Sequence, residues 1–542
     1  MKTHARLQDL PPVAERFRRI EAEPLPRNLG ALLDQIADDV PEREAWRFFE
    51  TGQTITYGAL RGQVNRLAHG LAAIGIGHGT HVGIMLPNVP ALPLTWLALA
   101  RLGAVMVPVN VRYTAHEIDY VMGDSEATFL VFDREFLPAV RAFADGRPDA
   151  AALVAVGGAV PGARAWESLA DGQPDTWHGP EADADDLLNI QYTSGTTGFP
   201  KGCMLTQRYW LTVGRVHAHC DAQDFRRILI SLPFFYMTGL WQLMMAFNQR
   251  ATVFVAQRQS GSRFMDWVRA HEIDFCIYPT VAYKQPPAED DARHLVKRAN
   301  IYGFPAGDHA ALEARFDFHA REGFGMTEIG CGTIVPIEAT DMVGTGTVGI
   351  PAPFRECRVA DETGATVPVG EVGELLVRGP GILQGYYRKP EATAAAFWGD
   401  WFRTGDLFRQ DERGYLYILG RTKDMVRRAG ENIAAREVES ILLELPEIAE
   451  CAVVPVPDDT RGEEVKAYLV LQPGLTAADL PPDRVIAHCQ GKLAVFKVPR
   501  YLEYRTAPLP RTESGKISKP PLIREKSDLR SNSWDRLTGR WP

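Results

Sequence analysis

The run Tyr192-Thr193-Ser194-Gly195-Thr196-Thr197-Gly198-Phe199-Pro200-Lys201-Gly202 carries the densest chemistry in this chain. Its glycines let backbone N–H groups come close to phosphate oxygens. The Ser and Thr hydroxyls add donors, and Lys201 adds a positive charge. A plain surface loop shares this composition, but eleven residues in this order, following an apolar strand, favour a phosphate cradle. It is not a Walker A loop, because the G-x-x-x-x-G-K-[ST] spacing is absent. The cysteines point away from two other chemistries. Cys203, Cys220, Cys276, Cys331, Cys357, Cys451 and Cys489 are odd in number, and no two have C-x-x-C spacing. That argues against a disulfide framework and a structural zinc site, and fits a reducing, cytoplasmic compartment. The net charge of −9, from 59 basic and 68 acidic residues, gives no footprint for a nucleic-acid partner.

The elements that must hold such a loop are legible in the apolar pattern. Thr54–Tyr57 reads as a strand leading into a helix with Leu60, Val64, Leu67, Leu71 and Ile74 on one face. Val82–Leu86 is a strand, Leu92–Leu102 a helix and Ala104–Pro108 the next strand; strands resume at Thr128–Phe132 and Leu187–Tyr192. This alternation implies an α/β fold with parallel-rich sheets covered on both faces. The most apolar stretch, Val82–Val109, is broken by Pro87, Asn88, Pro90, Pro93 and Arg101, so it does not read as a membrane span. Met1–Glu23 is studded with charge and does not read as a signal peptide. With 542 residues, the chain has length for about three or four compact units. The character changes after Gly420. A small α+β unit follows: a helix with Val438, Ile441, Leu442 and Leu445, strands at Ala452–Val456 and Val465–Leu471, a helix at Val485–Leu493 and a strand at Arg500–Tyr504. Residues 526–542 are polar and expected to form a flexible tail.

The segment Thr193–Lys201 resembles the phosphate loop of the adenylate-forming superfamily of acyl-CoA synthetases, peptide-synthetase adenylation domains and beetle luciferases. Four further segments fall in that family's order. Phe324-Gly325-Met326-Thr327-Glu328 resembles its G-Y-G-x-T-E motif, and Trp401–Asp406 its Y-R-T-G-D motif. Gly420-Arg421-Thr422-Lys423-Asp424 resembles its inter-domain hinge, and Pro510–Ile517 its catalytic-lysine loop. The likeness spans roughly Ala31 to Arg524, and five ordered motifs are hard to produce by accident. Arg428–Asn432 and Phe496–Pro499 look most like medium-chain and carnitine/crotonobetaine-type CoA ligases.

The resemblance implies a large N-terminal adenylation domain (1–420), a hinge (421–424) and a small mobile C-terminal domain (425–525). It implies ATP, Mg²⁺ and coenzyme A as reactants and cofactor, with acyl-AMP as intermediate. Thr193, Ser194, Gly195, Thr196, Thr197, Gly198 and Lys201 would hold the β- and γ-phosphates. Thr327 would bind the α-phosphate, Glu328 Mg²⁺, and Phe324 the adenine face; Asp406 and Arg421 would bind the ribose. Lys516 would be the catalytic lysine, stabilising charge as the carboxylate attacks. Lys423 would be the pivot, and Gly430 with Tyr236 would border the thiol tunnel, although Gly430 reads equally well as a turn glycine. The acyl pocket would draw on Phe235, Tyr236, Trp241, Tyr278 and Cys331. Partners implied are a small-molecule carboxylic acid, ATP and CoA, with a homodimer possible.

Three departures from the family pattern matter, two on the adenine side and one, at Tyr236, near the acid. Phe324 stands where the family often has Tyr, which keeps ring stacking and loses the hydroxyl. Tyr236 stands where His is usual in P-x-F-H-x-x-G, and Tyr302–Ala306 replaces G-G-A-P-L. The aromatic cluster Phe234, Phe235, Tyr236 and Trp241 suits a small or medium acid, aryl or apolar ahead of a quaternary-ammonium one. A crotonobetaine or carnitine ligase, or an adenylating enzyme with a non-CoA acceptor, stays open at this point.

Overall fold

The computed structural model describes residues 7–144, 152–193, 200–421, 425–428, 431–458, 461–490, 492–493, 495–511 and 515–541, without the side chains of 8, 425, 427, 431, 432 and 434. The expected residues Ser194, Gly195, Thr196, Thr197, Gly198, Lys423 and Gly430 lie outside the described residues. The chain forms two compact units. One comprises Met1–Cys357 and Val377–Phe402, the other Arg358–Leu376 and Arg403–Pro542.

The first unit is built on two seven-stranded sheets. One runs, in spatial order, Arg164–Ala165, Ala152–Val156, Phe129–Asp133, His81–Met85, Val105–Pro108, Leu187–Thr193 and Lys201–Thr206. Its pairs are parallel except the last, which closes a hairpin. The other runs His319–Arg321, Arg298–Asn300, Phe275–Ile277, Arg227–Ile230, Thr252–Val255, Glu44–Phe48 and Gln53–Thr56. It too is parallel except at its Glu44–Gln53 end. The expected α/β class with parallel-rich sheets holds. The helix Met237–Gln249 is buried at every position but Thr238, and Gln207–His219 at most positions. A helix apolar and covered all round belongs to an inner layer, and these two pack on each other. Polar links tie the layers: Trp96 Nε1 donates to Asn189 Oδ1 at 3.0 Å, and Asn88 Nδ2 donates to Ala256 O at 2.9 Å. A third, three-stranded sheet joins Gly323–Met326, Gly330–Ile334 and Ile350–Pro351.

The second unit, from Arg403 on, holds most of the hairpin of Trp401–Gln410 and Leu416–Arg421, in which Asp406 faces Arg421. It also holds a six-stranded sheet centred on Gly462–Leu471, which pairs antiparallel with Ile448–Asp458 and parallel with Tyr501–Arg505. Helices Ala435–Leu442 and Pro482–Gln490 supply Val438, Leu442, Val485 and Cys489 to its core. The expected strands and helices of this region are present, each shifted by a few residues at its ends. The expectation of a flexible tail at 526–542 is corrected. Leu529 and Trp534 are buried, and Trp534–Asp535 pairs with Tyr501–Leu502. Lys526 Nζ donates to Glu503 at 2.7 Å. Two well-spaced apolar anchors order a segment whose average composition is polar.

Candidate active site

The phosphate loop is framed by a β-hairpin. Thr193 is paired with Lys201, and Tyr192 with Gly202, at the loop end of Leu187–Thr193 and Lys201–Thr206. The outgoing strand ends on Thr206, whose hydroxyl accepts from Tyr209 N at 3.3 Å and caps the helix Gln207–His219. An N-cap of this kind fixes where a strand turns into a helix.

Lys201 and Glu328 meet at one side chain that the sequence did not single out. Lys201 Nζ lies 4.5 Å above the ring of Tyr386, and the Tyr386 hydroxyl donates to Glu328 Oε1 at 3.1 Å. Tyr386 also forms a β-bridge with Cys203. Tyr386 and Glu328 are both 8% exposed, so the carboxylate is held in a largely dry setting. Burial, and then the charge of Glu328, push the Tyr386 hydroxyl and the Cys203 thiol well above their ordinary values. Both groups are therefore neutral at pH 7, and the tyrosine remains a donor to the carboxylate. Tyr386 was missed because its role depends on contacts far apart in sequence; Gly385-Tyr386-Tyr387 carries no local signal of acid–base or metal chemistry.

Phe324 and Gly325 lie on the strand Gly323–Met326, and Thr327 and Glu328 on the turn that follows it. Phe324 N donates to Thr333 Oγ1 at 3.2 Å, and the ladder is irregular between Phe324 and Gly325. A side chain at Gly325 would come within 2.6 Å of Gly330 O and 3.4 Å of the Trp241 ring. This glycine is thus required by close approach, and Trp241 backs the strand.

The expected pocket residues are only partly gathered. Trp241 lines a small cavity with His217, Gln242, Asn300 and Tyr302. The rings of Phe235 and Tyr236 lie 4.7 Å apart, tilted at 52°, and the Tyr236 hydroxyl accepts from Asn110 Nδ2 at 3.2 Å. Cys331 is buried opposite Gly325, its thiol pushed up to about 12 chiefly by burial. Tyr278 does not join them. Its ring is held among Phe264, Phe316 and Phe318 at 5.2–5.5 Å, in a separate aromatic core. The sequence could not separate these roles, since aromatic side chains fill cores and line pockets alike.

In the second unit, three expected residues converge. Asp406 is 2% exposed, and Arg421 Nε reaches its Oδ1 at 3.0 Å. Gly405 (φ +68°) turns the chain so that its N–H reaches Glu374 Oε1 at 3.0 Å, while Thr404 Oγ1 accepts from Asp406 N at 3.1 Å. Lys516 follows Gly515 (φ +81°), and the ends of its loop are closed by an Arg511–Ile517 bridge. Its ammonium is held below the ordinary lysine value by loss of water and then by the charge of Arg421, with Asp406 opposing. The residue as a whole keeps an exposed surface.

No cluster of three metal-ligating side chains occurs among the described residues. A lone buried carboxylate fits Mg²⁺ nonetheless, since that ion is commonly held by one or two carboxylates plus substrate phosphates.

The fold and these sites define an adenylate-forming enzyme. The chain belongs to the AMP-binding enzyme family, whose model matches residues 33–387, with the family's C-terminal domain matching 437–516. It is 32% identical to crotonobetaine/carnitine–CoA ligase of Salmonella arizonae over 87% of this chain and 93% of that protein. It is 34% identical to feruloyl-CoA synthase of an Amycolatopsis species over 87% of this chain and 94% of that one. Its fold matches o-succinylbenzoate CoA synthetase from Bacillus subtilis, solved with its acyl-adenylate, with a TM-score of 0.79 and 26% identity over 92% and 98% of the two chains. The protein is an ATP-dependent acid–thiol ligase that works through an acyl-adenylate.

Proposed function

We propose that the protein is a carboxylate–CoA ligase for a small or medium acid. In the first half-reaction a carboxylate oxygen attacks the α-phosphorus of ATP, and the bond to the pyrophosphate oxygen breaks. In the second, the sulfur of coenzyme A attacks the acyl carbon and AMP leaves with the C–O electron pair, the thiol proton passing to solvent. Thr193 and Lys201, with the loop 194–198, hold the β- and γ-phosphates, and Thr327 the α-phosphate. Glu328, held by Tyr386, is the ligand for Mg²⁺, which when bound offsets phosphate charge. Phe324 stacks on adenine. Asp406 accepts from the ribose hydroxyls, a task suited to an ionised carboxylate, and Arg421 orients it through their ion pair. Lys516 stabilises the charge that grows as the carboxylate attacks. Lys423 is the pivot, and Tyr236 and Gly430 border the thiol path.

The observation that carries this reading is Lys516 beside the Asp406–Arg421 pair, its ammonium held below the ordinary lysine value. A group whose charge counts at the ribose–phosphate end of ATP belongs there. Seven free cysteines suit a reducing cytoplasm, and among the described residues no helix is long and apolar enough to cross a membrane. The test is pyrophosphate release with ATP, Mg²⁺ and a panel of acids, with and without CoA. A ligase releases pyrophosphate with an acid and forms a thioester only when CoA is added. Pyrophosphate release without any thioester would point to another acceptor.

A further inference from the structure

Beside the Gly323–Met326 strand lies a cavity with about 10 Å³ open to the centre of a water-sized group. That is room for about one water or one hydroxyl, and too little for an alkyl chain or a trimethylammonium group. Its wall is mostly apolar, but several of the residues that line it carry an unpartnered polar atom. His217 Nε2, Gln242 Oε1 and Asn300 Oδ1 are all buried without a hydrogen-bond partner. Gln242 is not free to turn, because its Nε2 donates at 2.9 Å to Leu229 O, a carbonyl that only accepts. Asn300 Nδ2 donates to the Tyr302 hydroxyl at 3.2 Å. In this arrangement each amide offers a carbonyl oxygen with nothing to accept from. Gln242 and Asn300 are 3% and 7% exposed. Unpaired buried polar atoms are costly, and two carbonyl oxygens and an imidazole nitrogen at one cavity are a site for a group that supplies the missing partners. Burial and the neighbouring Arg298 charge bring His217 down to about 4, so its ring is neutral and can give or take one hydrogen bond. Trp241, which lines the cavity, also backs Gly325 at 3.4 Å, so the cavity adjoins the adenylate-side strand.

We propose that this cavity is the far end of the acyl pocket and selects a compact carboxylic acid whose distal end carries one neutral hydroxyl. The hydroxyl takes the place of a water, donates to Gln242 Oε1 or Asn300 Oδ1 and accepts from His217 Nε2. This inference rests on the carboxylate–ligase reading and narrows its substrate. It also accounts for helix positions that otherwise read as core.

The test compares matched acids in pyrophosphate release: cinnamate with 4-hydroxycinnamate, benzoate with 3- and 4-hydroxybenzoate, and butanoate with 4-hydroxybutanoate, with crotonobetaine as the cationic comparator. A site built around a hydroxyl rejects the analogue lacking it, so kcat/KM in the best-used pair should favour the hydroxy acid by about 10²-fold or more. Gln242→Met should collapse that ratio to within about fivefold, and Asn300→Ala should do the same if the first variant does not fold. The ratio is taken within one sample, so it does not depend on how much of the variant is folded. Equal use of hydroxy and deoxy acids, or a preference for crotonobetaine, overturns the inference and leaves the ligase standing. No pyrophosphate release with any acid overturns both.

Discussion

Replacing Tyr386 by Phe removes one oxygen and tests whether Glu328 is a metal ligand held from behind. The ring stays, so the contact with Lys201 at 4.5 Å stays; what goes is the 3.1 Å donation to Glu328 Oε1. A hydrogen bond to a charged group is worth about 1.5–3 kcal/mol, or roughly 10- to 150-fold at about 1.4 kcal/mol per decade. Loss of a partner that orients a metal ligand costs roughly 10–100-fold in metal affinity, and the two ranges agree. Initial rates of pyrophosphate release, taken across a Mg²⁺ series at saturating ATP and acid, should show half-saturation moved up by about 10–100-fold. The maximal rate should recover at high Mg²⁺. Tyr386→Leu, which also removes the ring under Lys201, should weaken ATP binding as well, by the equivalent of about 0.5–2 kcal/mol. If Tyr386→Phe has the Mg²⁺ dependence of the wild type within about twofold, the hydroxyl does not position the ligand. If no Mg²⁺ concentration restores its rate, the hydroxyl acts elsewhere than through the metal.

Lys516→Ala should slow acyl-adenylate formation by about 10²–10³ while leaving thioester formation from supplied acyl-AMP and CoA largely intact; equal loss in both steps would make the residue structural. Because Lys516 must be charged to act and its ammonium is depressed by burial and Arg421, the alkaline limb of adenylation should fall below the roughly 10.4 of an ordinary lysine. Lys516→Arg should move that limb upward, and a wild-type limb at or above about 10.4 would refute the assignment. His217, at about 4 in the fold against 6.5 for a free histidine, takes up its proton more readily when unfolded. Its contribution to stability is thus complete above pH 6.5 and is lost as pH falls towards 4, by at most about 3 kcal/mol; urea midpoints at pH 7 and pH 4.5 should differ less in His217→Gln, and an unchanged difference counts against a buried neutral ring.

What could be read from sequence was contiguous. The hairpin at Thr193 and Lys201 and the Gly323–Met326 strand each lie within or beside one motif, and Asp406 and Arg421 each lie within a motif of their own, so local pattern and spacing carry them. The Tyr386–Glu328 contact was not legible, because it joins residues 58 apart in sequence by one hydroxyl. Gln242 and His217 sit on helices whose apolar neighbours make every position look like core. Tyr278 differs for the converse reason: an aromatic residue reads alike as pocket wall or core, and its neighbours in space are phenylalanines. The alternation of strands and helices was read from hydrophobic period alone. The tail escaped, because its few anchors are too sparse to show a period.

The order in that tail has a practical consequence. Tyr501–Arg505 runs parallel to Gly462–Leu471 on one flank, and Trp534–Asp535 covers part of the other. Without that cover the strand would offer bare peptide groups to the next molecule, the usual template for edge-to-edge self-association. The segment also serves Lys466, which is fully buried and shares its donors between Glu503 Oε2 and Leu529 O, both at 2.6 Å. A protein shortened after Arg524 would leave that ammonium with one partner fewer in a dry site, and a buried charge stripped of partners is strongly destabilising. The residues beyond the catalytic-lysine loop are therefore a guard on the small unit's solubility, and cuts or insertions made there carry a folding cost that their polar sequence hides.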